Sequence, residues 1–151
     1  MKHHVATISI SILVVCILGA ACGSGSSNSS QCQAGDGKTV TTAAGLKYEE
    51  LQICNGSEAG DGKNVTVNTT VYVKDGDQQR QIQDVRGLIF RVGAGQVVRG
   101  LDLGVVGMKV GGKRRLTLGP DLGYGAKGDA SIHVPSNATL IYEVELVSIA
   151  P

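Results

Sequence analysis

Residues 96–120 read QVVRGLDLGVVGMKVGGKRRLTLGP. Apolar side chains fall at Val97, Val98, Leu101 and Val105. Spacings of three and four put them on one helical face, which predicts one short helix over 97–106. Gly100 and Gly104 interrupt it, and each costs about 1 kcal/mol relative to alanine in a helix interior. A Gly-Gly turn follows, then a strand over Lys113–Leu118. The run Lys113, Arg114 and Arg115 reads as the solvated start of that strand.

Downstream, Gly119 to Asn137 carries two of the chain's three prolines and reads as a long loop. Leu140, Tyr142, Val144 and Leu146 alternate with Ile141, Glu143 and Glu145, which predicts a last strand. Upstream, Leu88 to Val92 reads as a short strand stopped by Gly93 and Gly95. Gln78 to Asp84 is polar and receives no element. Val65, Val67, Val71 and Val73 share a phase opposite Asn68, Thr70 and Lys74, as in a half-buried strand ended by Asp75-Gly76. Leu46 to Cys54 reads as a further strand, and Gly35 to Gly45 as a loose lead-in. Many strands and one helix give an α+β class, an antiparallel β-sheet wrapped around one short α-helix.

The segment 96–120, the GYGAKG at 123–128 and the VPSNATLIYEVEL at 134–146 together resemble the C-terminal half of an FKBP-type peptidyl-prolyl cis-trans isomerase. The resemblance covers roughly Thr41 to Ile149 and is strongest after Leu88. It implies the FKBP fold for 41–151 and a proline pocket without metal or cofactor. It also implies roles. Tyr124, Val98 and Phe90 take the catalytic positions: Tyr124 a hydroxyl donor, Val98 a backbone N–H donor, Phe90 a pocket-wall aromatic. Leu88, Val97, Leu101, Ile132 and Tyr142 take the substrate-binding positions. Thr69, Gln79 and Arg80 stand where the family has a Tyr and a Phe-Asp pair. Asp84 replaces that acid only if the gap between the matched segments is moved. A pocket missing much of one wall is therefore expected.

Such a site suits the chemistry. Rotation about an X-Pro bond is opposed by amide resonance, a barrier of about 18–20 kcal/mol. An apolar pocket that strips water from the amide, with a few donors for the twisted form, lowers it without a nucleophile.

The N-terminus adds an address. Lys2 precedes an apolar run from Ile8 to Leu18, too short to span a bilayer. Residues 1–21 read as a signal peptide. Gly19, Ala20 and Ala21 before Cys22 resemble a bacterial lipoprotein cleavage box, so Cys22 is the expected lipidation site. The other reading is an ordinary signal cleaved near Ala21. Residues 22–40, opening GSGSSNSSQ after Cys22, form a flexible tether. An exported cell-envelope protein anchored to the membrane is expected. Cys32 and Cys54 are the remaining thiols, expected to pair in an oxidising compartment, or else to stay free.

Other chemistries fare poorly. Only 3% of residues are aromatic and no broad basic surface exists, which argues against nucleic acid. Gly123, Gly125 and Gly128 spell GxGxxG, but no helix follows. His133 is the one histidine beyond the signal, so a Ser/His/Asp triad or a His-based metal site has no support. The expected partners are proline-containing peptides or unfolded exported proteins, met by a monomer. The reading set against an isomerase is a non-catalytic FKBP-like binding module.

Overall fold

The structure, a computed structural model, describes residues 31–151. The signal-like stretch, Cys22 and most of the tether lie outside the described residues. Seven strands form one antiparallel sheet: β1 (Cys32–Ala34), β2 (Thr39–Thr41), β3 (Lys47–Cys54), β4 (Asn64–Asp75), β5 (Gln78–Arg91), β6 (Lys113–Leu118) and β7 (Thr139–Ile149). Their order is β1-β3-β6-β7-β4-β5, with β2 also paired to β3. The helix α1 (Arg99–Val105) packs on β6 and β7. This is the sheet-around-one-helix arrangement of the FKBP fold.

The core forms where the two periodicities meet. Leu101 and Val105 of α1 are buried with Leu116 and Leu118 of β6, Leu140, Val144 and Leu146 of β7, and Val65, Val67, Val71 and Val73 of β4. Gly100 and Gly104 face β6. A methyl at Gly100 would overlap the Leu118 side chain, and one at Gly104 would overlap Leu116. The two glycines cost helix propensity but let the helix backbone lie close on the sheet.

The basic run at the start of β6 is not uniformly solvated. Strand alternation turns Arg114 inward, where it is 5% exposed. Its guanidinium donates to the Gly104 carbonyl at 2.7 Å and the Val106 carbonyl at 3.1 Å. It also pairs with Glu50 and lies 4.3 Å over the Tyr48 ring. Arg114 thus satisfies the open carbonyls at the helix end and neutralises a carboxylate of β3. Arg115, on the other face, pairs with Glu143 of β7 at 2.6 Å.

Two stretches differ from the sequence reading. The polar Gln78 to Asp84 and the strand at Leu88 are one strand, β5, hairpinned to β4 through the Asp75-Gly76 turn. As an edge strand it has β4 as its one sheet neighbour among the described residues, and most of its side chains are exposed, so no apolar period marks it. The end of the expected tether and the lead-in also join the sheet: β1, inside the tether, and β2, which straddles its end at residue 40, both run antiparallel to β3. Cys32 and Cys54 are opposite each other in this pairing and are joined by a disulfide. Closing a loop with a sequence separation of 22 removes unfolded-state entropy worth about 3 kcal/mol.

Candidate functional site

The site lies between the start of α1, the loop at Tyr124 and strands β4, β5 and β7. Val97 and Val98 lead into the helix, and the Val98 carbonyl accepts from the N–H groups of Leu101 and Asp102. The loop before them is fixed from within. Asp102, nearly buried, accepts from the Gly93 N–H at 2.7 Å and the Gly95 N–H at 3.1 Å. Gly93 and Gly95 both have positive φ, 79° and 65°, which a side chain would resist. Gln96 accepts from the Arg91 N–H at 2.8 Å. One carboxylate on the helix therefore sets the path of the chain that delivers Val97 and Val98.

Tyr124 comes from the long loop, just after a 3-10 turn at Pro120–Leu122. That loop is tied to itself by Gly125 N–H to the Pro120 carbonyl, Gly128 N–H to the Tyr124 carbonyl and Asn137 N–H to the Gly125 carbonyl. Tyr142 stands on β7, opposite Leu116 of β6 and Val71 of β4, and is 4% exposed. Burial pushes the Tyr142 phenol well above its ordinary range, and the neighbouring Tyr124 hydroxyl pushes it the same way. Tyr142 therefore keeps its proton at any physiological pH.

These residues surround a cavity of about 250 Å³. Val97, Val98, Leu101, Tyr124 and Tyr142 border it from the helix, the loop and β7. Thr69, Val71, Gln83, Val85 and Leu88 border it from β4 and β5. A larger hollow of about 440 Å³ lies between Asp61-Gly62 and residues 91–94, but it is shallow and opens beside charged Asp61 and Arg91. The cavity between α1 and β4, β5 and β7 combines an apolar lining with a few polar groups, as binding sites for small groups do.

Of the eight residues expected at the pocket, six border this cavity: Tyr124, Val98, Leu88, Val97, Leu101 and Tyr142. Phe90 does not. It pairs with Val65 across β4–β5 and is 3% exposed in the core. Ile132 does not border it either; it lies in the 3-10 turn Ala130–Ile132 and packs on the edge of the core. Gln79 and Arg80 sit at the exposed start of β5, and Arg80 donates to the His133 carbonyl at 3.2 Å, tying the hairpin to that loop. Asp84 forms an exposed ion pair with Arg86 at 2.9 Å. Sequence reasoning missed Val71, Gln83 and Val85. Counting outward from the Asp75-Gly76 turn could have found them, had the irregularity at Val71/Tyr72 been known.

Relatives fit this geometry. The sequence pattern of the family described as FKBP-type peptidyl-prolyl cis-trans isomerase matches residues 55–147. The chain belongs to this family. An FK506-binding protein of Neisseria meningitidis serogroup C is 45% identical over 105 residues, covering 69% of this chain and 95% of that protein. FK506-binding protein 4 of Dictyostelium discoideum is also 45% identical, over 114 residues, but this chain spans only 30% of its length. Among solved structures, FkpA from Escherichia coli superposes with a TM-score of 0.66 at 30% identity, over 77% of this chain and 53% of that one. AtFKBP13 does so with 0.66 at 25% identity, over 75% and 99%. Members of the family are peptidyl-prolyl cis-trans isomerases, and the matched segment contains every residue that borders the cavity.

Proposed function

We propose that this FKBP domain is a peptidyl-prolyl cis-trans isomerase of reduced activity that assists folding of exported proteins. The observation that carries the reading is the cavity itself, in which Val97, Val98, Leu101, Tyr124 and Tyr142 keep the family's floor and donor side. A proline ring held there loses water around its amide, and the resemblance makes the Tyr124 hydroxyl and the Val98 N–H the donors to its carbonyls. Desolvation favours the twisted amide, in which charge separation across the C–N bond is lost. The β4–β5 side has no aromatic ring: Thr69, Val71, Gln83 and Val85 stand there. Losing one large apolar contact forfeits roughly 1.5–3 kcal/mol of burial. If half of that acts on the twisted state, the rate falls roughly three- to tenfold.

The test is the isomerisation rate on a short X-Pro peptide. A rate roughly three- to tenfold below that of a full-pocket family member is expected, and Tyr124→Phe should lower it further. Full-rate catalysis would refute the reduced pocket. A rate equal to buffer with retained peptide binding would favour the second reading, a non-catalytic FKBP-like binding module, for which the ring-free β4–β5 side is the supporting observation.

The same proposal puts the domain in the cell envelope, held by a lipid on Cys22. It rests on the apolar run, the small residues before Cys22 and the polar tether after it. Cys22→Ser should move the protein from membranes to the soluble fraction. Unchanged membrane association in that variant would end the idea.

A further inference from the structure

One polar group at the cavity has no role in the fold. Thr69 is 2% exposed, and its hydroxyl has no hydrogen-bond partner among the described residues. Buried polar groups are nearly always paired, because an unpaired one keeps its desolvation cost. Valine fills nearly the same volume without that cost. The cross-strand partners of Thr69 are both valines, Val85 on β5 and Val144 on β7. Fold stability alone therefore favours Val at this position.

Thr69 also borders the cavity, and so does Gln83, half-buried one step along β5 from Val85 on the same side. Thr69 Cβ also has other staggered χ1 wells, and a step to one of them carries the hydroxyl to the place its methyl or its hydrogen now holds, a second position from which it can meet a ligand. A carboxamide beside it can donate as well. We propose that Thr69 and Gln83 form a polar subsite that takes an amide carbonyl of the peptide flanking the bound proline, with the Thr69 hydroxyl as donor. This rests on the peptide-binding reading above. A carbonyl stripped of water in an apolar cavity needs a donor, and the hydroxyl left unpaired in the free protein supplies it. The carbonyl belongs either to the peptide backbone or to an Asn or Gln side chain next to the proline.

The experiment uses the full chain with its disulfide intact and two short peptides, one Leu-Pro and one Gln-Pro. Binding by titration calorimetry and the thermal midpoint are measured for wild type, Thr69→Val, Thr69→Ser and Gln83→Leu. Thr69→Val should raise the midpoint by about 4 °C, because the unpaired hydroxyl is gone. It should weaken binding about three- to tenfold. Thr69→Ser should bind within about twofold of wild type. Gln83→Leu lies on an edge strand outside the core and should weaken binding in the same direction. Equal losses for both peptides assign the backbone carbonyl, and a loss confined to Gln-Pro assigns the side chain. Thr69→Val binding both peptides as tightly as wild type would overturn the subsite. Failure of the wild type to bind either peptide would overturn the peptide-binding reading itself, and this subsite with it.

Discussion

The two sides of the cavity are built on different terms. The helix side is fixed several times over. Asp102 holds the loop ahead of Val97, the glycines seat α1 on β6, and Arg114 closes the helix end against Glu50. The β4–β5 side is an edge hairpin with register shifts at Val67/Thr69 and Val71/Tyr72. Where it meets the cavity it carries Thr69, Val71, Gln83, Val85 and Leu88, none of them aromatic. The helix side must keep its shape for the domain to fold at all, so its residues are tied to the core. On the hairpin side Val71 belongs to the core, whereas Gln83, Val85 and Leu88 of β5 are only half-buried, so they are the positions with most freedom to set what binds.

The largest expected effect comes from breaking the helix side. Arg114→Ala removes the donors for two helix-end carbonyls and leaves Glu50 without its partner. Stripping one member from a largely buried pair is strongly destabilising, and about 3 kcal/mol is expected here because Glu50 keeps some contact with water. Urea unfolding should show the midpoint shift, with Arg114→Lys intermediate because it keeps the charge but not the fork. A change below about 1 kcal/mol would mean that the helix end is held by packing alone, and the contrast between the two sides would weaken.

That contrast also decides what the sequence reveals. The helix side was legible because its burial repeats: Val97, Val98, Leu101 and Val105 at helical spacing, and Leu140 to Leu146 in alternation. Arg114 was the exception, since a charge inside a strand is invisible until its partners are known. The hairpin side was largely illegible. β5 has a single sheet neighbour, so its polar first half carries no apolar period, and each register shift resets which residues face the cavity. Gln83 looks like any residue of a polar run. Phe90 failed in the opposite way: its type fits a pocket, but the pairing with Val65 turns it into the core.

Tyr142 sits where the two sides meet, between Leu116 and Val71, and it gives a smaller, sharper test. Burial raises its phenol pKa in the folded state, whereas in the unfolded chain a tyrosine releases its proton near pH 10. Above about pH 10 the unfolded state thus binds fewer protons than the folded one. By linkage, stability must fall as pH rises there, by up to about 1.4 kcal/mol per pH unit, and must be indifferent to this group below about pH 9. Tyr142→Phe lacks the titration. The stability difference between wild type and Tyr142→Phe should stay level from pH 6 to 9, then shift against the wild type above pH 10. Subtracting the two curves removes the lysines and the tyrosines that do not touch Tyr142. If the hairpin side admitted water to the ring, the phenol would titrate alike in both states and the curves would run parallel. Parallel curves to pH 11 would show that the loose side reaches Tyr142, whereas divergence would show that the closely packed side ends only beyond it.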